Sequence, residues 1–203
     1  MAYLNGKIIF GKLKGFPPLH GDAKIQTQCF IDGAREIVSL IEDFGALFMP
    51  VVYDMGGNIE KINKIFIERS LQSPYLEDLL RHELEHTKQS AIFDSLLWLK
   101  RALELIEVFF RKVAYDETLQ ERLKYYLKEA YEVTLKPYHG IIVQTAFSVV
   151  YRFISDRSVL IGKDDENLKD LKTFLDPFRA HLDGINAFYS KHNLDHQYKI
   201  NSI

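Results

Sequence analysis

The sequence predicts an all-α fold, and three observations carry that reading. Apolar residues recur at steps of three, four and seven through most of the chain, the period of a helix with a buried face. No stretch alternates apolar and polar residues as a half-buried strand does. The punctuating residues fall at joints, with Gly15, Pro17, Pro18 and Gly21 early in the chain and Pro74 and Pro137 later.

The glycines and prolines mark residues 1–21 as a loosely ordered arm. Helices are then predicted at about 24–44, 52–71, 74–87, 89–113, 116–135, 138–155 and 165–191. Asp22 can cap the first, Ser73-Pro74 opens the third and Pro137 the sixth, and Asp164 to Asn167 make a capping start for the last. With 203 residues and 47% apolar side chains, the chain suits one domain over 1–203 with a sizeable core.

The segment 89–113 carries two apolar stripes. Leu99, Ala102, Leu103, Ile106, Phe110 and Val113 form one; Trp98, Leu105 and Phe109 form the other. A surface helix needs only one such stripe, so this one packs on a core and also faces a second apolar volume. His139 to Tyr151 contains no Asp, Glu, Lys or Arg; too short to span a bilayer, it reads as a helix buried on all sides. Together the two segments suggest helical layers with a hydrocarbon-sized space between them, although a thick core has the same pattern.

Composition excludes several classes. A net charge of −2 and a pI near 6.4 give no electrostatic reason to expect nucleic acid. One cysteine, Cys29, excludes an internal disulfide framework, fits a reducing compartment and reads as a small buried apolar side chain. The run Ile8-Ile9-Phe10 is too short for a secretory signal. The expected location is the cytoplasm.

The polar residues that stand out are Asp54, Asn58 and Lys61, then Trp98 and Arg101, then His139 and Tyr198. Steps of four and three place Asp54, Asn58 and Lys61 on one helix face, and Trp98 and Arg101 also share a face. An acceptor, an amide and a cation together can read hydroxyls and amides. A flat indole covers the apolar face of a sugar ring. By spacing alone the first three are also an ordinary solvated face. Gly56-Gly57 in the same helix costs about 1 kcal/mol per residue relative to alanine, which fits a backbone approached closely by another group.

In order and spacing, this set resembles the glycolipid transfer protein family. The likeness runs from Asp22-Ala23-Lys24-Ile25-Gln26-Thr27 through Phe48-Met49-Pro50-Val51-Val52, the Asp54 face, Trp98-Leu99-Lys100-Arg101, Ala130-Tyr131-Glu132, Leu135, His139 and Phe147 to Asn193 and Tyr198-Lys199-Ile200. It implies a two-layer helical sandwich enclosing a lipid pocket, with Leu105, Phe109, Leu135 and Phe147 on its wall. It implies transfer of glycosphingolipids between membranes with no enzymatic step and no catalytic residue, cofactor or metal. The expected partners are a monoglycosylceramide or lactosylceramide and, transiently, a membrane surface, with the protein a monomer.

The resemblance also assigns roles. Asp54 accepts from the lipid amide N–H and a sugar hydroxyl, Asn58 and Lys61 bond the first sugar, and Trp98 stacks on it. Arg101 touches ligand or orients Asp54, His139 donates to the amide carbonyl, and Tyr198 approaches the sugar from the tail. One departure is Ile141, where family members carry a docking tryptophan two residues beyond this histidine. A ceramide 1-phosphate-type lipid is the alternative cargo, but that branch has a lysine where Asn58 stands.

His82-Glu83-Leu84-Glu85-His86 matches a zinc-peptidase pattern literally, with Glu104 the tempting downstream acid for a third ligand. Arg81, Glu85 and Lys88 around it are those of a charged surface helix. A helical interaction module without a ligand is the remaining alternative.

Overall fold

The computed structural model describes residues 3–4, 6–21, 24–87, 91–162 and 165–195. Among them are eight α-helices: α1 Thr27–Glu42, α2 Met49–Arg69, α3 Leu76–His86, α4 Ala91–Ala114, α5 Lys124–Val133, α6 Ile141–Val150, α7 Arg157–Leu160 and α8 Asp165–Lys191. The all-α class expected from the periodicity is the class observed. The caps assigned to Asp22 and Asp164 lie outside the described residues.

The central helix is α4, which packs against α2, α5 and α8, while α1 packs on α2. On the first apolar stripe of α4, Leu99, Leu103, Phe110 and Val113 are essentially inaccessible; on the second, Phe109 is buried while Trp98 is half-buried. An ionic contact the periodicity could not reveal also joins α4 to α8. The wholly buried Glu107 accepts from Arg111 at 2.5 Å and from Arg179 on α8, and Arg111 donates to the Leu175 carbonyl oxygen. A buried carboxylate is tolerable only when it is paired in this way.

Over the described residues 3–4 and 6–21 the expected loose arm is instead packed. Tyr3–Leu4 and Lys7–Ile8 pair as a minimal antiparallel hairpin, and Phe10–Lys12 form one 3₁₀ turn. Ile8, Phe10 and Phe16 are at most 3% exposed; Phe16 stacks on Phe178 of α8 at 4.7 Å. Gly33 of α1 admits this close approach, since a Cβ there would lie 2.8 Å from the Phe16 ring. The fixing group is Asn167 in the first turn of α8. Its side chain accepts from Phe10 N–H at 2.9 Å and donates to the Ile8 and Ile161 carbonyls at 2.8 Å each. Glycine and proline set the local turns of the arm; the apolar side chains between them decide that it packs.

Several predicted helices are shorter in the structure. The first starts at Thr27 because Gln26 pairs with Tyr75 as an isolated bridge, and Leu76 N–H donates to Ile25 O. The helix read at 116–135 becomes α5 alone. Asp116 accepts from Thr118 N–H and Gln120 N–H, and Leu119 sits at φ 53°, so side-chain hydrogen bonding displaces the helical pattern. Burial would raise the Asp116 carboxyl, but hydrogen bonds from Thr118, Gln120 and Tyr126 lower it to about 2.

The helix read at 138–155 is α6, flanked by the 3₁₀ turns Lys136–Tyr138 and Tyr151–Phe153. It is not buried on all sides. Only Val143 is buried, while Ile141 is 81% and Ile142 66% exposed.

Candidate functional site

A cavity of about 190 Å³ lies between α2, α4 and α6. Leu47, Pro50 and Val51 close one side, Ala102, Leu105 and Ile106 of α4 form the floor, and Leu135, Val143, Ala146, Phe147 and Val150 close the other. Among the described residues, the polar side chains on its wall are Asp54, Trp98 and His139. The sequence expectation thus meets in space for Asp54, Trp98, His139, Leu105, Leu135 and Phe147.

Each polar group is positioned by its element. Gly45, at φ 102°, turns the chain after α1, and Pro50 in the first turn of α2 sets the helix that carries Asp54. Burial of the Asp54 carboxyl raises its pKa, more than the nearby Lys61 lowers it. One turn on, the buried Asn58 directs its amide at Asp54 Oδ2 over a long 3.5 Å. Lys61 is exposed and does not line the cavity. At Gly56 and Gly57 an added Cβ would meet nothing within 4 Å, so no protein group accounts for the glycines.

His139 lies in the extended residue between the 3₁₀ turn and α6. Gln144 clamps its backbone, donating to the His139 carbonyl at 2.7 Å. Its ring lies near-parallel to the Trp98 indole at 6.3 Å, and its Nδ1 is 3.1 Å from the Tyr131 hydroxyl. Tyr131 in turn stacks on Phe147 at 3.7 Å. Burial, with the charge of Arg101 adding to it, lowers His139 to about 4, and burial pushes the Tyr131 phenol up to about 12. At neutral pH both are uncharged.

Two assignments change and one falls outside the described residues. Arg101 is 1% exposed and does not line the cavity; its guanidinium hydrogen-bonds Asp195 at 2.6 Å and stacks between Trp98 and Tyr138. Phe109 is buried against Phe110 at 4.9 Å, while Ala102 and Ile106 take the wall position expected of it. The rotation of α4 between its neighbours decides this, not the spacing along it. Tyr198 lies outside the described residues. Sequence reasoning missed Tyr131, Tyr138 and Asp195 as supports. Tyr131 alone left a trace, in the Ala130-Tyr131-Glu132 motif.

The peptidase-like motif carries structure. Glu83 is 4% exposed and its carboxylate accepts from Arg69 Nε at 3.1 Å. His86 Nδ1 donates to the His82 carbonyl, and the two imidazoles stack at 4.3 Å. Glu104, the third ligand the pattern needed, accepts from Asn186. Among the described residues, no three His, Cys, Asp or Glu side chains are grouped to hold a metal ion.

Among the described residues, an otherwise apolar cavity lined by one carboxylate, one indole and one imidazole gives this all-α protein a pocket with the chemistry to suit an amphipathic molecule. The chain belongs to the glycolipid transfer protein family, whose pattern matches residues 25–165. It is 31% identical over 202 residues to the glycolipid transfer protein of Danio rerio, covering 91% of this chain and 96% of that one. Two solved structures share its fold. One, concerned with how FAPP2 selects simple glycosphingolipids using the GLTP-fold, superposes with a TM-score of 0.82 at 23% identity, covering 95% of this chain and 99% of that one. Mouse ceramide-1-phosphate transfer protein superposes with a TM-score of 0.80 at 19% identity, covering 93% and 95% respectively.

Proposed function

We propose that this protein moves glycosphingolipids between membranes without making or breaking a covalent bond. The observation that carries the reading is the convergence of Asp54, Trp98 and His139 on the rim of an otherwise apolar cavity. Exposed hydrocarbon costs about 0.8 kcal/mol per CH₂ in water, so a long-chain lipid leaves a bilayer readily only when a protein covers it. The cavity covers the hydrocarbon, and the rim reads the headgroup.

Each rim group has a complementary task. The Asp54 carboxylate accepts from the lipid amide N–H, a donor that offsets the cost of holding a charge in a partly desolvated place. With the Tyr131 hydroxyl donating to Nδ1, the neutral His139 ring keeps its proton on Nε2 and donates to the amide carbonyl. An acceptor and a donor aimed at one amide favour sphingolipids over ester-linked lipids, which offer no N–H. The sugar stacks on Trp98, while Asn58 and Lys61 bond its hydroxyls. Tyr198 belongs to the same proposal.

The protein meets the bilayer transiently through Ile141, Ile142, Val149 and Phe153, which lie exposed on and beside the α6 wall. Aliphatic Ile141 takes the docking position. Among the described residues no helix is long and apolar enough to cross a membrane. The carrier in this proposal works as a monomer in the cytoplasm. Transfer of fluorescent glucosylceramide between phosphatidylcholine vesicles, with and without chelator, tests the reading. Transfer should proceed without metal or nucleotide and exceed that of a ceramide 1-phosphate analogue. Chelator-sensitive transfer, or preference for the phosphate-headed lipid, would overturn it.

A further inference from the structure

Arg101 is among the largest fully buried side chains of the molecule. Its guanidinium carbon lies 4.8 Å from the Trp98 ring centroid and 3.5 Å from that of Tyr138. A guanidinium cannot shed its charge, so burying one demands a carboxylate. Asp195 supplies it, one oxygen 2.6 Å from Arg101 Nη2 and the other 3.3 Å from the buried Lys100 ammonium.

Asp195 reaches α4 because of how α8 ends. Asn193 adopts φ 52°, Asn193 N–H donates to Ser190 O, and Leu194 N–H reaches back to Tyr189 O at 3.0 Å. This pattern reverses the chain after a helix, and Leu194 packs on the core as the turn's apolar anchor. The next residue therefore lies over Lys100 and Arg101. Burial would raise the Asp195 carboxyl, but the hydrogen bond from Arg101 and the two positive charges hold it below its ordinary value.

We propose that Asp195 is a positioning residue for headgroup recognition: it commits the Arg101 charge to the Trp98 ring, fixing the indole's pose and withholding that cation from the ligand. The proposal rests on the preceding reading of Asp54, Trp98 and His139 as the headgroup site. With the pair intact, the indole sits on a fixed cation and the rim favours a neutral sugar. Without the carboxylate, Lys100 and Arg101 lose this anion, and a phosphate-headed lipid supplies one.

The test uses the full chain, Asp195→Asn, the conservative Asp195→Glu, and Asp183→Asn as a control on the exposed side of α8. Transfer of glucosylceramide and of ceramide 1-phosphate from phosphatidylcholine vesicles is measured for each, together with the emission of Trp98, the one tryptophan in the chain. Asp195→Asn should lower the sugar-to-phosphate transfer ratio roughly tenfold, the scale of a charge-assisted hydrogen bond, and shift Trp98 emission in the lipid-free protein. Asp195→Glu should recover most of both, and Asp183→Asn should match the unsubstituted chain. The ratio separates positioning from folding, because lost structure lowers both rates together. A wild-type ratio, an equal loss for both lipids, or unchanged lipid-free emission in Asp195→Asn each overturns the proposal. Failure of the unsubstituted protein to move glucosylceramide would instead overturn the headgroup reading, and the lipid-free emission would still decide whether Asp195 sets the indole.

Discussion

At the scale of single residues, the site depends on a few polar groups set in hydrocarbon. Asp54→Val should lower glucosylceramide transfer at least about a hundredfold, because two hydrogen bonds to a charged acceptor are lost. Desolvation disfavours the Asp54 charge in the folded chain, so the melting temperature should barely move; near-wild-type transfer would place the headgroup elsewhere. Trp98→Ala should reduce transfer by roughly tenfold or more through lost stacking, and Trp98 emission should change on adding glucosylceramide vesicles. His139 has a definite pH signature. Its folded pKa of about 4 lies below the ordinary 6.5, so between those values the unfolded chain binds a proton that the folded one does not. The stability from this residue is therefore intact above pH 6.5 and declines as the pH falls towards 4. Denaturant titrations at pH 7 and pH 5 should show a smaller pH difference for His139→Gln than for the unsubstituted chain; an equal difference would place the titration on other groups.

At the scale of elements, α6 and the start of α8 make opposite cases. α6 is uncharged but exposes Ile141 and Ile142, a face no core requirement explains. Ile141→Glu with Ile142→Glu should weaken sedimentation with vesicles and slow transfer while leaving the melting temperature within about 2 °C, since neither side chain is buried. Unaltered vesicle binding would mean that another surface docks. Asn167, by contrast, is 4% exposed and holds the N-terminal arm, the end of α7 and the start of α8 together through three hydrogen bonds. Asn167→Ala strands buried backbone groups and should cost about 3 kcal/mol, or ~6–12 °C in melting temperature. A loss below 1 kcal/mol would mean that water or a shifted arm replaces those bonds.

At the scale of the whole molecule, the cavity volume sets a further requirement. About 190 Å³ is small beside the ~300–1,000 Å³ typical of ligand pockets, so a two-chain lipid enters only if a wall moves. α4 is buried along most of its length, whereas α6 buries only Val143. Amides of α6 should therefore exchange with solvent faster than those of α4 in the free protein and slow when glucosylceramide is bound. Equal protection of the two helices with and without lipid would mean that the cavity widens elsewhere.

The helices and much of the rim were legible in the chain itself. Helical period and punctuation placed α4 and α8 nearly to the residue, a local feature that follows from which side chains lie three or four residues apart. Asp54, Trp98 and His139 lie far apart along the chain and are marked out by the family resemblance, not by spacing. Other facts depended on what each face meets. Gly15, Pro17 and Pro18 suggest looseness until Phe10 and Phe16 find α8 and Asn167 closes the arm. The uncharged α6 segment suggests full burial, because apolar composition alone cannot distinguish a face turned to a core from one turned to solvent or membrane. Arg101 reads as a ligand contact until Asp195, from the far end of the chain, neutralises it behind the indole. The sequence by itself determined the helical class and the order of the elements. Only the tertiary structure decided which side of each helix meets the cavity, because helix rotation and ion pairing are set by packing between segments distant along the chain.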